Sequence, residues 1–264
     1  MRAIAIGFHD VAETRGVVRP IMPGHSTVYT LDRRRFREVL EAIGSVGRPC
    51  AFRKAETAES SRPPLLLTFD DGALSAWSSV AEELERLGWR GHFFVVTDWI
   101  ARPGFLDRRR IRDLWERGHV IGSHSCSHPA RMSSLSGGEL CRQWSESRAI
   151  LSDVIGDRVD IASVPGGYYS RRVARAAADA GIELLFTSEP RTKASKVENC
   201  LVLGRYTVRA FTPPRVVAAI AGGSRWPYLK QGSLWRLSNV AKRLTGPYYA
   251  PIRRALLAQV RGGA

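Results

Sequence analysis

Two short stretches hold most of the residue types that hydrolytic chemistry uses. LLLTFDDGALSAW (65–77) ends an apolar run with adjacent carboxylates, Asp70 and Asp71, followed by a glycine. Asp-Asp-Gly is also ordinary turn chemistry, so a solvated turn is the competing reading. GHVIGSHSCSHP (118–129) likewise follows an apolar run and carries His124 and His128, four residues apart. A tight loop or one helical turn brings both imidazoles to one ion, and Pro129 favours such a loop. Structural roles for the two histidines are the alternative. Two neutral imidazoles and one carboxylate bind a divalent cation while leaving positions open for water and substrate. The second carboxylate is then free to take a proton from water. A cation between them also offsets the repulsion of the doubled aspartate.

These residues need elements that bring them together. Apolar runs predict strands over 3–8, 65–69, 92–96, 119–123, 161–164, 184–188 and 201–208. Helical spacing links Leu31, Phe36, Val39, Leu40 and Ile43, then Leu74, Trp77, Val80, Ala81, Leu84 and Leu87, then Ile111, Leu114 and Trp115. SGGE (136–139) predicts a capping box, with Ser136 as the cap and Glu139 three residues on. A further helix is expected from about Arg171 to Ala180, stopping at Gly181. Continuous apolar strands separated by amphipathic helices argue for parallel strands covered by helices. Seven such units favour a closed or nearly closed barrel. An open doubly wound sheet is the alternative, but no dinucleotide glycine fingerprint follows the first strand. In a parallel barrel the loops after the strands share one face, so both stretches can meet across a pocket.

The chain has 264 residues, of which 44% are hydrophobic and 25% charged, as expected of a globular protein with a core. Forty Lys and Arg against 25 Asp and Glu leave a formal net charge of +15, which draws the protein to anionic surfaces. Cys50, Cys126, Cys141 and Cys200 form no CxxC pair, which suits a reducing compartment. The opening MRAIAIGFHDV reads as a first strand rather than a signal-peptide core. A cytoplasmic location is expected, peripheral at the inner membrane face. Residues 222–264 interleave aromatic and basic side chains, which suits contact with an anionic membrane. A basic helix packed back on the barrel is the alternative. Single-stranded nucleic acid would also suit rings and cations, but no RNA-binding signature accompanies them, so no nucleic-acid partner is expected. The arginine triplets at 33–35 and 108–110 read as solvated helix faces, and 48–63 as a polar surface excursion.

TFDDG followed by HSxxH resembles the polysaccharide deacetylase family, also described as the NodB homology domain or carbohydrate esterase family 4. The likeness runs from about residue 3 to about residue 208. It implies an α/β fold, a distorted (β/α)7 barrel, in a catalytic domain over 1–221. It also implies metal-dependent hydrolysis of N-acetyl groups on the amino sugars of a glycan, with an N-acetylated sugar as partner; the positive charge and the basic aromatic tail point to a lipid- or nucleotide-linked glycan precursor. By position, Asp70 is implied as general base, and Asp71, His124 and His128 as ligands of one divalent ion. Zinc is expected there, with cobalt, nickel and manganese as alternatives. Cys126 stands at a position that is not a ligand in the family.

Two departures from the family pattern matter. An Arg-x-Pro-x-Gly motif should follow the fifth strand, but SVPGG (163–167) keeps Pro165 and Gly167 and places Ser163 where the arginine stands. Arg205, in LGRYTV, is the implied replacement that orients the base. Gly166 or Gly167 would offer a backbone N–H to an oxyanion, and Tyr168 would line the pocket. The late Leu-x-His motif, which supplies the acid, is missing, because no histidine follows His128. His9, in IGFHDV, resembles the start of a permuted branch whose acid comes from the first strand. His25, His92 and His119 read as structural or surface residues. A non-catalytic glycan-binding barrel and an amidase acting on a non-sugar C–N bond are the competing functions.

Overall fold

The computed structural model describes residues 1–12, 27–52, 63–224, 226–227 and 231–232. Its strands are β1 (Ile4–Phe8), β2 (Asp10–Ala12), β3 (Thr30–Asp32), β4 (Leu65–Phe69), β5 (His92–Val95) and β6 (Val120–Ser123). β7 (Ile161–Ser163), β8 (Leu184–Thr187), β9 (Ser195–Val197), β10 (Cys200–Gly204) and β11 (Tyr206–Thr207) follow. The helices are α1 (Arg33–Gly44), α2 (Ser79–Arg86), α3 (Arg108–Glu116), α4 (Gly137–Ile155), α5 (Arg171–Asp179) and α6 (Pro214–Ala221). The main sheet runs β11-β1-β4-β5-β6-β7-β8-β10-β9. All its pairings are parallel except that of β9 with β10.

The stretch 200–207 closes the sheet into a distorted (β/α)7 barrel. Its first half, β10, pairs with β8, and its second half, β11, pairs with β1 through Ile6 and Tyr206. The predicted strand over 201–208 is thus one strand broken at Arg205, which sits at the seam. Gly204, just before it, tolerates no side chain, because a Cβ there would overlap the Glu189 carbonyl oxygen.

Side-chain alternation along the strands sorts the core into two layers. Ile4, Ile6, Phe8, Leu65, Leu67 and Phe69 pack outward with helix residues such as Phe36, Leu40, Val80, Leu84 and Leu114. Ala5, Leu66, Phe94, Phe186 and Leu203 from different strands fill the barrel interior. With a period of two, Leu66, Thr68 and Asp70 all project inward. That is why a run as apolar as LLLTF is buried at every position.

Caps set the helix starts. Asp32, Asp107 and Ser170 accept from the backbone N–H of Arg35, Arg110 and Val173. Ser136 and Glu139 form the predicted capping box of α4, which ends at Gly156 in the left-handed region (φ 72°). Two helix expectations are corrected. Leu31 belongs to β3, because Asp32 caps α1 after it, and Leu74 lies in a 3₁₀ turn ahead of α2. The first arginine triplet is not simply a solvated face: its Arg33 bonds the carboxylate of Glu83, which is buried. Residues 53–62 of the polar excursion, His25 and the extension from 233 onward lie outside the described residues. Among those described, no helix is long and apolar enough to cross a membrane.

His92 and His119 are fully buried and serve the backbone. His119 Nδ1 accepts from the Gly91 N–H, and its Nε2 donates to Glu85. This neutral ring uses both nitrogens, so protonation would break the Gly91 bond. Burial lowers its pKa to about 4, against the raising effect of Glu85. Below its unfolded pKa of about 6.5 the unfolded chain takes up a proton that the native ring refuses. Stability should therefore fall by about 3 kcal/mol as pH drops from about 6.5 to 4. Denaturant unfolding of wild type and His119→Gln across that range checks this, because the variant lacks this loss.

Candidate active site

Each functional side chain leaves a strand at its C-terminal end. Asp70 and His124 each stand one residue beyond their strands, and their N–H groups continue the ladder to Phe8 and Val95 carbonyls (3.0 and 2.8 Å). Asp71 then turns into the left-handed region (φ 75°), as do Ser125 (φ 67°) and His128 (φ 52°). Such backbone costs of order 1–3 kcal/mol per residue and clusters where function requires it. Here it turns consecutive side chains toward one point.

His124 Nε2 and His128 Nε2 lie 3.4 and 3.6 Å from Asp71 Oδ1. Both separations exceed a charge-assisted N–H···O bond, and Oδ1 is buried with no hydrogen-bond partner. The ligand atoms of Asp71, His124 and His128 all lie within 4.8 Å of one another. His124 Nδ1 donates to the Ser163 carbonyl (3.0 Å), which leaves the Nε2 lone pair facing Asp71. An orphaned carboxylate oxygen facing a tautomer-locked imidazole fits a divalent cation that accepts mixed nitrogen and oxygen donors.

The electrostatics agree. Burial pushes the Asp71 carboxyl up, but the His124, His9 and His128 rings hold it far below the ordinary carboxylate range. Burial also disfavours charge on His124, yet Asp70 and Asp71 outweigh it and raise its pKa. The acidic pair thus draws positive charge to this point.

Asp70 is held differently. Arg205 donates to its Oδ1 from NH1 and to its Oδ2 from NH2, both at 2.8 Å. NH1 also reaches Thr68 Oγ1 (3.1 Å), NH2 reaches Ser163 Oγ (2.7 Å), and Nε reaches the Thr187 carbonyl (3.4 Å). All donors of the buried guanidinium are therefore used. It lies between the rings of Phe94 and Phe186, at 5.8 and 5.9 Å from their centroids. Ser163 accepts a bond from Arg205 rather than supplying an arginine itself. Burial raises the Asp70 pKa, but Arg205 foremost, then His124, outweighs it and brings it to about 2.

His9 follows β1 directly, and its ring stacks on Tyr29 with centroids 4.7 Å apart. Its Nδ1 is buried without a hydrogen-bond partner. Burial lowers its pKa, with Asp71 and Asp70 opposing. Gly166 (φ 61°) and Gly167 (φ 70°) continue from the end of β7 in backbone that glycine adopts freely. The Arg131 guanidinium covers the Tyr168 ring at 5.0 Å. A separate cavity of about 490 Å³ lies at the opposite end of the barrel, against Val120, Ile161 and Leu184, and none of these polar residues lines it.

Sequence reasoning missed three supporting residues. The Trp99 ring stacks on His128 at 5.1 Å, Tyr29 covers His9, and Gln143 of α4 bonds the loop between the two histidines. Trp99 follows β5 on the same rim, a position that could have flagged it. Nothing local marks Tyr29 or Gln143.

The sequence pattern of the polysaccharide deacetylase family matches residues 57–185. YxkH of Bacillus subtilis, assigned to the polysaccharide deacetylases, is 24% identical over 144 residues, covering 54% of this chain and 51% of YxkH. The chain thus spans about half the length of that relative. Among solved structures, the Streptococcus pyogenes deacetylase PplD in complex with acetate superposes with a TM-score of 0.68 at 16% identity. It covers 81% of this chain and 95% of PplD. A de-N-acetylase from Aggregatibacter actinomycetemcomitans gives 0.66 at 17% identity, over 81% and 97% of the two chains. Those two likenesses carry the fold, and the sequence match carries the resemblance: residues 57–185 of this chain match the polysaccharide deacetylase family.

Proposed function

We propose that the protein is a metal-dependent hydrolase that removes N-acetyl groups from amino sugars. The observation that carries this reading is the convergence of Asp71, His124 and His128 beside a carboxylate, Asp70, held apart by Arg205. The first three residues would hold one divalent ion, and zinc suits their donor set. When bound, that ion supplies Lewis-acid polarisation of an amide carbonyl and acidifies water.

Asp70 accepts a proton from the attacking water. Its bidentate bond to Arg205 uses one lone pair on each oxygen and leaves others for that proton. Arg205 thereby fixes the direction of attack. A backbone N–H at Gly166 or Gly167 would serve the oxygen that gains charge as water adds. His9 delivers a proton to the departing nitrogen, and its burial favours giving that proton up. Acetate and a free amine result. The relative PplD was solved with acetate, and a fold neighbour is described as a de-N-acetylase; both support the choice of reaction. The excess of positive charge favours a sugar carried on an anionic group, such as a lipid phosphate or a nucleotide.

Acetate release from free, nucleotide-linked and lipid-linked N-acetylhexosamines tests the reading. Release should stop on chelation and return on adding a divalent ion, with the anionic carriers turned over fastest. A protein that binds the ion and these sugars but releases no acetate would instead be a glycan-binding barrel.

A further inference from the structure

We infer that Gln143, on α4, is a positioning residue that sets the metal affinity of the site by holding the loop between the two histidines. This rests on the reading that Asp71, His124 and His128 bind a cation. Gln143 is buried, and its whole amide is spent on that loop. Oε1 accepts from the N–H groups of Cys126 (3.0 Å) and Ser127 (3.1 Å), and Nε2 donates to Ser127 Oγ (2.9 Å).

The loop cannot hold its shape alone. It reverses direction through left-handed backbone at Ser125 and His128, and neither is a glycine. Accounting for its N–H groups shows where the support comes from. His124 N–H goes to the Val95 carbonyl, Ser125 N–H to Ser123 Oγ, and His128 N–H to Ser125 Oγ. The two that remain, on Cys126 and Ser127, both end on Gln143. Across the loop, the N–H groups of Thr97 and Asp98 bond the carbonyls of Ser125 and Cys126. The segment is therefore clamped between the end of β5 and α4, with Gln143 supplying the α4 side.

Removing that acceptor strands two N–H groups, one of them on the buried Cys126. The loop then relaxes toward water, and His128 moves relative to Asp71 and His124. A ligand set held less well binds its ion less tightly. The requirement is for an acceptor, so glutamate at this position satisfies it: two carboxylate oxygens take both N–H groups, and the Ser127 hydroxyl turns to donate. Methionine fills the same space and accepts from neither.

Competition against a chromophoric chelator, with Zn²⁺ and separately Co²⁺ as the probe, measures the affinity in the full-length protein without reference to turnover. Gln143→Met should weaken binding by roughly 10–100-fold and alter the Co²⁺ visible spectrum. Gln143→Glu should stay within about threefold of wild type, because the hydrogen bonds survive. If the methionine variant does not fold, Gln143→Ala carries the same expectation of weakened binding. Wild-type affinity in the methionine or alanine variant overturns the inference alone, as does equal weakening in the glutamate variant. Absence of ion binding by the wild type overturns the metal-site reading and this inference with it.

Discussion

Asp70→Asn should lower turnover of an N-acetylated sugar by roughly 10²–10⁴-fold while leaving metal binding in place in the folded protein. The separation of effects follows from where each carboxylate oxygen points. Asp71, not Asp70, faces the two imidazoles, so the ligand set survives. An asparagine carbonyl still accepts one N–H from Arg205, so the barrel interior keeps most of its bonding. What is lost is a charged oxygen able to take a proton. Asp70 pays for its placement in basicity, because Arg205 holds its pKa at about 2. A general base works best with a pKa near the operating pH. On the proposed reading Arg205 contributes by orientation rather than activation, and an ion held by Asp71, His124 and His128 would acidify the water. Turnover measured with a metal count on the same preparation checks the prediction. Equal rates in variant and wild type would remove Asp70 from the chemistry.

The largest loss of stability should come from Arg205→Met, about 3–5 kcal/mol, because it leaves Asp70 charged and unpaired inside the barrel. Arg205 and Asp70 are both buried, and methionine offers no donor in place of those lost. Lysine is not a conservative replacement here. A single ammonium carries three donors and cannot match a fork that bonds both oxygens of Asp70 together with Thr68, Ser163 and Thr187. Adding Asp70→Asn to Arg205→Met removes the stranded charge and should recover a substantial part of the loss. Denaturant unfolding of the two single variants and the double variant measures this coupling. A loss below about 1 kcal/mol in Arg205→Met would match a solvated ion pair instead.

The candidate site was legible in the sequence because its residues sit at strand ends. A parallel barrel puts every such end on one rim, so Asp70, Asp71, His124 and His128 could be assigned to one face from two apolar runs. The seven barrel strands were equally legible, since burial on both sides leaves an unbroken apolar run. Capping of α4 was written in SGGE. What the pattern could not show were elements too short to have a period, such as β2, β3 and β9. Leu31 shows the difficulty: its spacing continues the helical series, but the cap at Asp32 excludes it from α1.

Contacts across long stretches of chain were decided only by the folded structure. Strand 200–207 reads as continuous, yet it switches partner at Arg205 to close the barrel. That break carries the guanidinium into the interior, 135 residues from Asp70 along the chain. Gln143 and Ser163 look like ordinary polar residues until the helix and the strand that bear them meet the histidine loop. Local sequence fixes which residues can do chemistry, through residue type and the period of burial. Which of them meet, and which neighbour holds each in place, depends on closure of the sheet, and closure is a property of the whole chain.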